Sequence, residues 1–174
     1  MTLLNNNQQE VRHIISMLLE NESGALSRVV NLFSARGYNI ESLSVAPTDD
    51  ASVSRLTLVT IANQSVIEQI VKQLNKLIDV IKLVDLTEGA HIERELMLLK
   101  IKAHSETSRA ELYRLNDMFR GRLLDVTDTS YTIEMTGACS KLDGFLNAVA
   151  SLGVIEIVRS GSIGLVRGPK GLTL

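Results

Sequence analysis

The chain spells the same succession of segments twice. Residues 13–19 alternate, with Ile15, Met17 and Leu19 on one side and Ile14, Ser16 and Leu18 on the other, which is the period of a strand. Leu26, Val29, Val30 and Phe33 then recur at helical spacing, and Arg36 followed by Gly37 supplies a stop. Strands follow at 39–46 and 55–62, parted by Pro47 and a Thr-Asp-Asp turn. A second helix carries Ile67, Ile70, Val71 and Leu74, and a fourth strand covers 80–86. The order is βαββαβ. It begins again at 96–103, with a helix at 108–119 closed by Arg120 and Gly121. Strands at 123–127 and 130–136, a helix at 140–152 and a strand at 154–158 complete the second cycle.

Such a unit closes most simply into a four-stranded antiparallel sheet with both helices on one face. The expected class is therefore α+β, with two like domains at 11–87 and 96–167. A linker is expected at 88–95, and loose tails at 1–10 and 168–174. In the first unit the sheet face away from the helices holds Ile14, Leu18, Val59 and Ile61. That face is too apolar for water, so the pattern predicts a dimer or larger assembly covering it.

Composition narrows the function. Hydrophobic residues make up 45% of the 174 positions while aromatics make up 3%, so the cores must be built from Leu, Ile and Val, with Phe33, Phe119 and Phe145 among them. A net charge of -2 with no basic block argues against electrostatic binding of nucleic acid. RNA-binding modules of the same strand order need aromatics on their central strands. Unit one has none there and unit two only Tyr131. The single Cys139 excludes an internal disulfide and a CxxC metal site and fits a reducing cytoplasm. No apolar run approaches the roughly 20 residues of a membrane span, and the opening MTLLNNNQQE lacks a signal-peptide pattern. His13, His91 and His104 are scattered without ligand spacing, and no Ser/His/Asp arrangement is readable, so neither a catalytic group nor a metal site is expected.

The four helix starts differ. Ser65 with Glu68, Ser108 with Glu111 and Ser140 with Asp143 fit the spacing at which a serine caps the helix and an acid reaches back. The first helix lacks that acid, since Leu26 stands three residues after Ser23. Its N-terminus is therefore open, and Gly24 leaves room beside the backbone. Two readings follow. The turn is an ordinary Asn or Ser cap, or Asn21, Ser23, Gly24, Ala25 and Leu26 seat a small carboxylate. Glu20 and Glu22 would repel that anion unless they point away or meet a ligand's ammonium. An acylphosphatase-like phosphate cradle would need a basic residue in the turn, and 20–24 contains none.

The stretch LLENESGALSRVVNLFSARGYNIESLSVAPTDD resembles the small regulatory subunit of acetolactate synthase (acetohydroxyacid synthase). The likeness extends through RLTLVTI, GAHIERELMLLKI, FRGRLLDVT and RSGSIGLVRG, and so over nearly the whole chain. The resemblance implies an N-terminal ACT domain and a second ferredoxin-like domain. It implies a cytoplasmic homodimer, joined through the ACT domains, that binds the catalytic large subunit. It further implies that the chain raises that subunit's activity and confers feedback inhibition by valine in branched-chain amino acid biosynthesis. Thiamine diphosphate, magnesium and FAD would belong to the large subunit, with no cofactor on this chain and no nucleic-acid or membrane partner. The effector would sit at Asn21, Glu22, Ser23, Gly24, Ala25 and Leu26, completed by Asn39 and Ile40 of a neighbouring copy. A stand-alone amino-acid-sensing ACT protein that regulates another enzyme is the alternative.

Overall fold

The computed structural model describes residues 9–174. The expected tail at 1–10 thus falls, for its first eight positions, outside the described residues. The chain divides into two compact units. One takes the chain up to Ile92 together with Ser162–Leu174, and the other is Glu93–Gly161.

In the first unit β1 (Val11–Glu20), α1 (Ala25–Ala35), β2 (Ser42–Pro47), β3 (Val53–Ala62), α2 (Gln64–Leu74) and β4 (Val80–Asp85) follow in the expected order. The sheet runs β2-β3-β1-β4. All three pairings are antiparallel, because each helix returns the chain to a strand beyond its neighbour. Ile15, Met17 and Leu19 of β1 meet Leu56 and Leu58 of β3 under Val29 and Phe33 of α1 and Ile67, Ile70 and Leu74 of α2. At about 25 cal/mol per Å² of apolar surface, each such side chain contributes roughly 1.5–3 kcal/mol on burial.

The second unit repeats the plan with β5 (His91–Lys102), α3 (Glu106–Met118), β6 (Arg122–Val126), β7 (Ser130–Gly137), α4 (Cys139–Val149) and β8 (Val154–Arg159). Its strand order is β6-β7-β5-β8. Met97, Leu99 and Ile101 of β5 pack on Tyr131, Ile133 and Met135 beneath Leu112, Leu115, Leu142 and Phe145. Both units are thus the ferredoxin-like arrangement expected from the sequence.

Three features differ from the expectation. The stretch expected as a linker at 88–95 is largely strand, since β5 begins at His91. A ninth strand, β9 (Ile163–Val166), follows β8 and pairs with β5, where the Arg167 N–H donates to the Ala90 carbonyl at 2.9 Å. The tail expected at 168–174 is not wholly loose, because Leu172 is buried against Leu18 and Val53. Ser162–Leu174 therefore returns to the first unit and covers the sheet face that the helices leave open. Ile14 and Val59 are buried there with Leu86, and Val166 of β9 packs on them. Gly164 comes so close that a Cβ would lie 2.6 Å from Leu86 Cδ1. Of the four residues whose exposure argued for a partner, only Ile61 remains open, at 47%. The apolar face is covered by the chain itself, so it no longer argues for a second copy. Among the described residues, no helix is long and apolar enough to cross a membrane.

Candidate functional site

The turn between β1 and α1 is held from both sides by backbone. The Glu20 N–H donates to the Asp79 carbonyl at 2.9 Å, and the Asn21 N–H to Ser52 at 2.7 Å. The Asn21 side-chain amide donates to the Ala51 carbonyl at 2.9 Å. The chain then reverses at Gly24, whose φ of 90° is natural for glycine and strained for other residues. Gly24 is the N-cap of α1. It offers no side-chain hydrogen bond, and the first turn holds no acidic residue. The Ala25 N–H is already accepted by the Glu22 carbonyl at 3.3 Å. Ala25 thus brings no free donor, and its side chain is buried. The Gly24, Leu26 and Ser27 N–H groups find no acceptor among the described residues, so the helix end keeps its donors. Asn21, Glu22 and Ser23 are exposed around it.

Asn39 and Ile40 lie past the other end of α1. The 11-residue helix separates them from the turn by about 16 Å of axial rise. The Asn39 carbonyl accepts from Thr60 Oγ1 at 2.7 Å, its amide donates to Glu41, and Ile40 packs on the helix-side core. Within one chain the expected site residues therefore fall into two groups, 21–26 and 39–40, that do not meet.

The contrast among helix ends is smaller than the sequence suggested. Asn63, not Ser65, caps α2, its side chain accepting from the Val66 N–H at 3.0 Å. Ser105 caps α3 in a box closed by Ser108 rather than Glu111. Helix α4 starts after Ala138 with no side-chain cap, so Ser140 and Asp143 do not close it. Of the four α-helices among the described residues, α1 and α4 are open. An open end alone does not single out α1; its glycine reversal does.

Two residues that sequence reasoning missed sit beside the turn. Arg28 Nε and Nη2 each donate to the Asp79 carboxylate at 2.5 Å, and Asp79 is 3% exposed. Hydrogen bonding to Arg28 holds the Asp79 carboxyl below the usual carboxylate range, and its charge acts the same way. Arg28 itself is raised, chiefly by that hydrogen bond and further by the Glu22 and Glu20 charges. Its Nη1 lies 3.0 Å from where a Cβ on Gly24 would stand. The turn thus borders a guanidinium fixed by a buried carboxylate. The available signal was the spacing, because Arg28 follows Gly24 by four and stacks on the same helix face. Asp79, 51 positions away from Arg28, carried no local signal.

Comparison with known proteins agrees over both units. Residues 15–82 match the AHAS small subunit-like ACT domain, and residues 94–168 match the small subunit of acetolactate synthase. The chain is 54% identical over 161 residues to the acetolactate synthase isozyme 3 small subunit of Salmonella typhimurium, covering 92% of this chain and 98% of that protein. It is 53% identical to the Escherichia coli isozyme 3 small subunit, with the same coverage. The crystal structure of the acetolactate synthase small subunit from Thermotoga maritima superposes with a TM-score of 0.82 at 36% identity, over 92% of this chain and 99% of that one. With two ferredoxin-like units that match this family's two domains in order, the chain belongs to the acetolactate synthase small-subunit family.

Proposed function

We propose that this chain is the regulatory subunit of a cytoplasmic acetolactate synthase, activating the large catalytic subunit and conferring feedback inhibition by valine. The observation that carries the reading is the glycine-reversed turn at Gly24, where a helix of this family's ACT domain keeps its N–H donors open. An effector carboxylate gains roughly 0.3–2 kcal/mol from such an end. It takes the free N–H groups of Gly24 and Leu26, while Ala25 contributes shape. Glu22 and Asn21 face the ammonium, and Leu26 meets the branched side chain. Asn39 and Ile40 complete the site from a second copy in an ACT-paired homodimer, because the chain's own pair lies a helix length away. The catalytic chemistry, with thiamine diphosphate, magnesium and FAD, belongs to the large subunit. Effector binding shifts activity to the extent that it prefers one arrangement of the holoenzyme over the other.

The test is reconstitution with the large subunit. The chain alone is expected to form no acetolactate from pyruvate, to raise the large subunit's rate when added, and to make that rate sensitive to valine. Gly24→Asp places a carboxylate among the donors and is expected to abolish the valine response. Gly24→Ala separates this from backbone strain, which costs about 1–2 kcal/mol at positive φ and is read in a urea melt. A valine inhibition curve unchanged by Gly24→Asp contradicts the site.

A further inference from the structure

The C-terminal segment ends on the back of the sheet, directly behind the strand end that carries the turn. Leu172 packs with Leu18 and Val53, and Val84 lies against the same cluster. Val53 stands opposite Glu20 in the β1–β3 ladder, and Leu18 opposite Arg55. On the other side of β1, the pairing with β4 shifts register between Leu18 and Leu19. The β1–β4 ladder is thus interrupted one residue before Glu20, while the β1–β3 ladder runs unbroken to Glu20. The turn's anchoring bonds, Glu20 to Asp79 and Asn21 to Ser52, begin there. On the β4 side the ladder is locally disrupted, so packing from behind adds to what the β1–β3 ladder fixes at this strand end. Leu172 supplies that packing, with Val84 against the same cluster. Among the described residues, one hydrogen bond, Lys82 Nζ to the Thr173 carbonyl at 2.9 Å, flanks it. The preceding Gly168 has a φ of 94° and nothing within 4 Å of a would-be Cβ.

From this placement we infer that Leu172 is a positioning residue for the turn, and that the segment 168–174 is a latch whose seating is linked to effector occupancy. Seated, it presses Leu18 and Val53 together and fixes the approach of β1 to Gly24. Released, it leaves the β1–β4 register shift without that packing, and the turn is held by its hydrogen bonds and the β1–β3 ladder alone. Linkage is reciprocal, so an effector that needs the fixed turn tightens the latch in the same measure. The inference rests on the effector reading for its functional half only.

The experiment uses the full chain with Leu172→Ala and Leu172→Met, the second keeping an apolar side chain of similar volume. Amide hydrogen exchange without effector is expected to quicken at least about fivefold at Glu20, Asn21 and Val53 in Leu172→Ala, and to stay near wild type at the far end of β1, at Arg12 and His13. Leu172→Met keeps wild-type exchange. No change, or an even rise along β1, overturns the latch. In the holoenzyme, Leu172→Ala is expected to raise the half-inhibiting concentration of L-valine at least about fivefold, the low end of ordinary site-to-site coupling. Altered exchange with an unchanged valine response overturns the linkage. If the wild-type holoenzyme ignores valine, the effector reading falls, and the exchange measurement alone decides the latch.

Discussion

Arg28 and Asp79 show how an ion pair beside the turn can tie it to another element. The aspartate is buried and the arginine is its cation, so removing the arginine leaves a buried carboxylate without its charge partner. Because the Arg28 hydrogen bond depresses the Asp79 carboxyl, the pair stabilises the fold above the unfolded carboxylate value. That contribution is lost as pH falls through the folded value. Arg28→Met is therefore expected to be less stable than wild type at pH 7, with a smaller gap at pH 3, below the ordinary carboxylate value. Urea melts at the two pH values check this, and an equal gap at both contradicts it. Gly24 was legible because a glycine before a helical pattern has few uses. Arg28 was not, because a surface arginine on a helix reads as solvated until its partner from another element is known.

At the scale of the element, the order of strands and helices was legible because each is long enough to show its period. The caps were less so. Asn63 and Ser65 both suit an N-cap, and an acid three residues on is only a tendency, so the structure chose Asn63 where the pattern favoured Ser65. Ala138, the residue before α4, is extended, with φ −67° and ψ 151°, a conformation that a capping residue also adopts. Ala138→Ser is thus expected to add about 0.5–1 kcal/mol by satisfying one free N–H of α4. Denaturant midpoints measure it, and no gain would mean that the serine hydroxyl does not reach the N–H two or three residues on. β9 escaped the sequence reading because four residues, Ile163–Val166, are too few to establish a period.

For the whole molecule the decisive fact is that one unit is built from two distant pieces of chain. Nothing local in residues 162–174 says that they belong with Ile14, Leu18 and Val59, so their return could not be read from sequence, and the apolar face was assigned to a partner instead. A chain stopped after Gly161 is expected to bind an apolar dye and to unfold its first unit at lower urea, because Ile14, Val59 and Leu86 lose Val166 and Leu18 loses Leu172. Unchanged dye binding would show that the face is covered some other way. The same division sets a timetable for synthesis. The ribosome completes the six main elements of the first unit, then makes all of Glu93–Gly161, and only then releases the strand and latch that cover the open face. At about 5–20 residues per second that interval is on the order of ten seconds. Throughout it the nascent chain carries an exposed apolar sheet that a chaperone, or another nascent copy, can reach first.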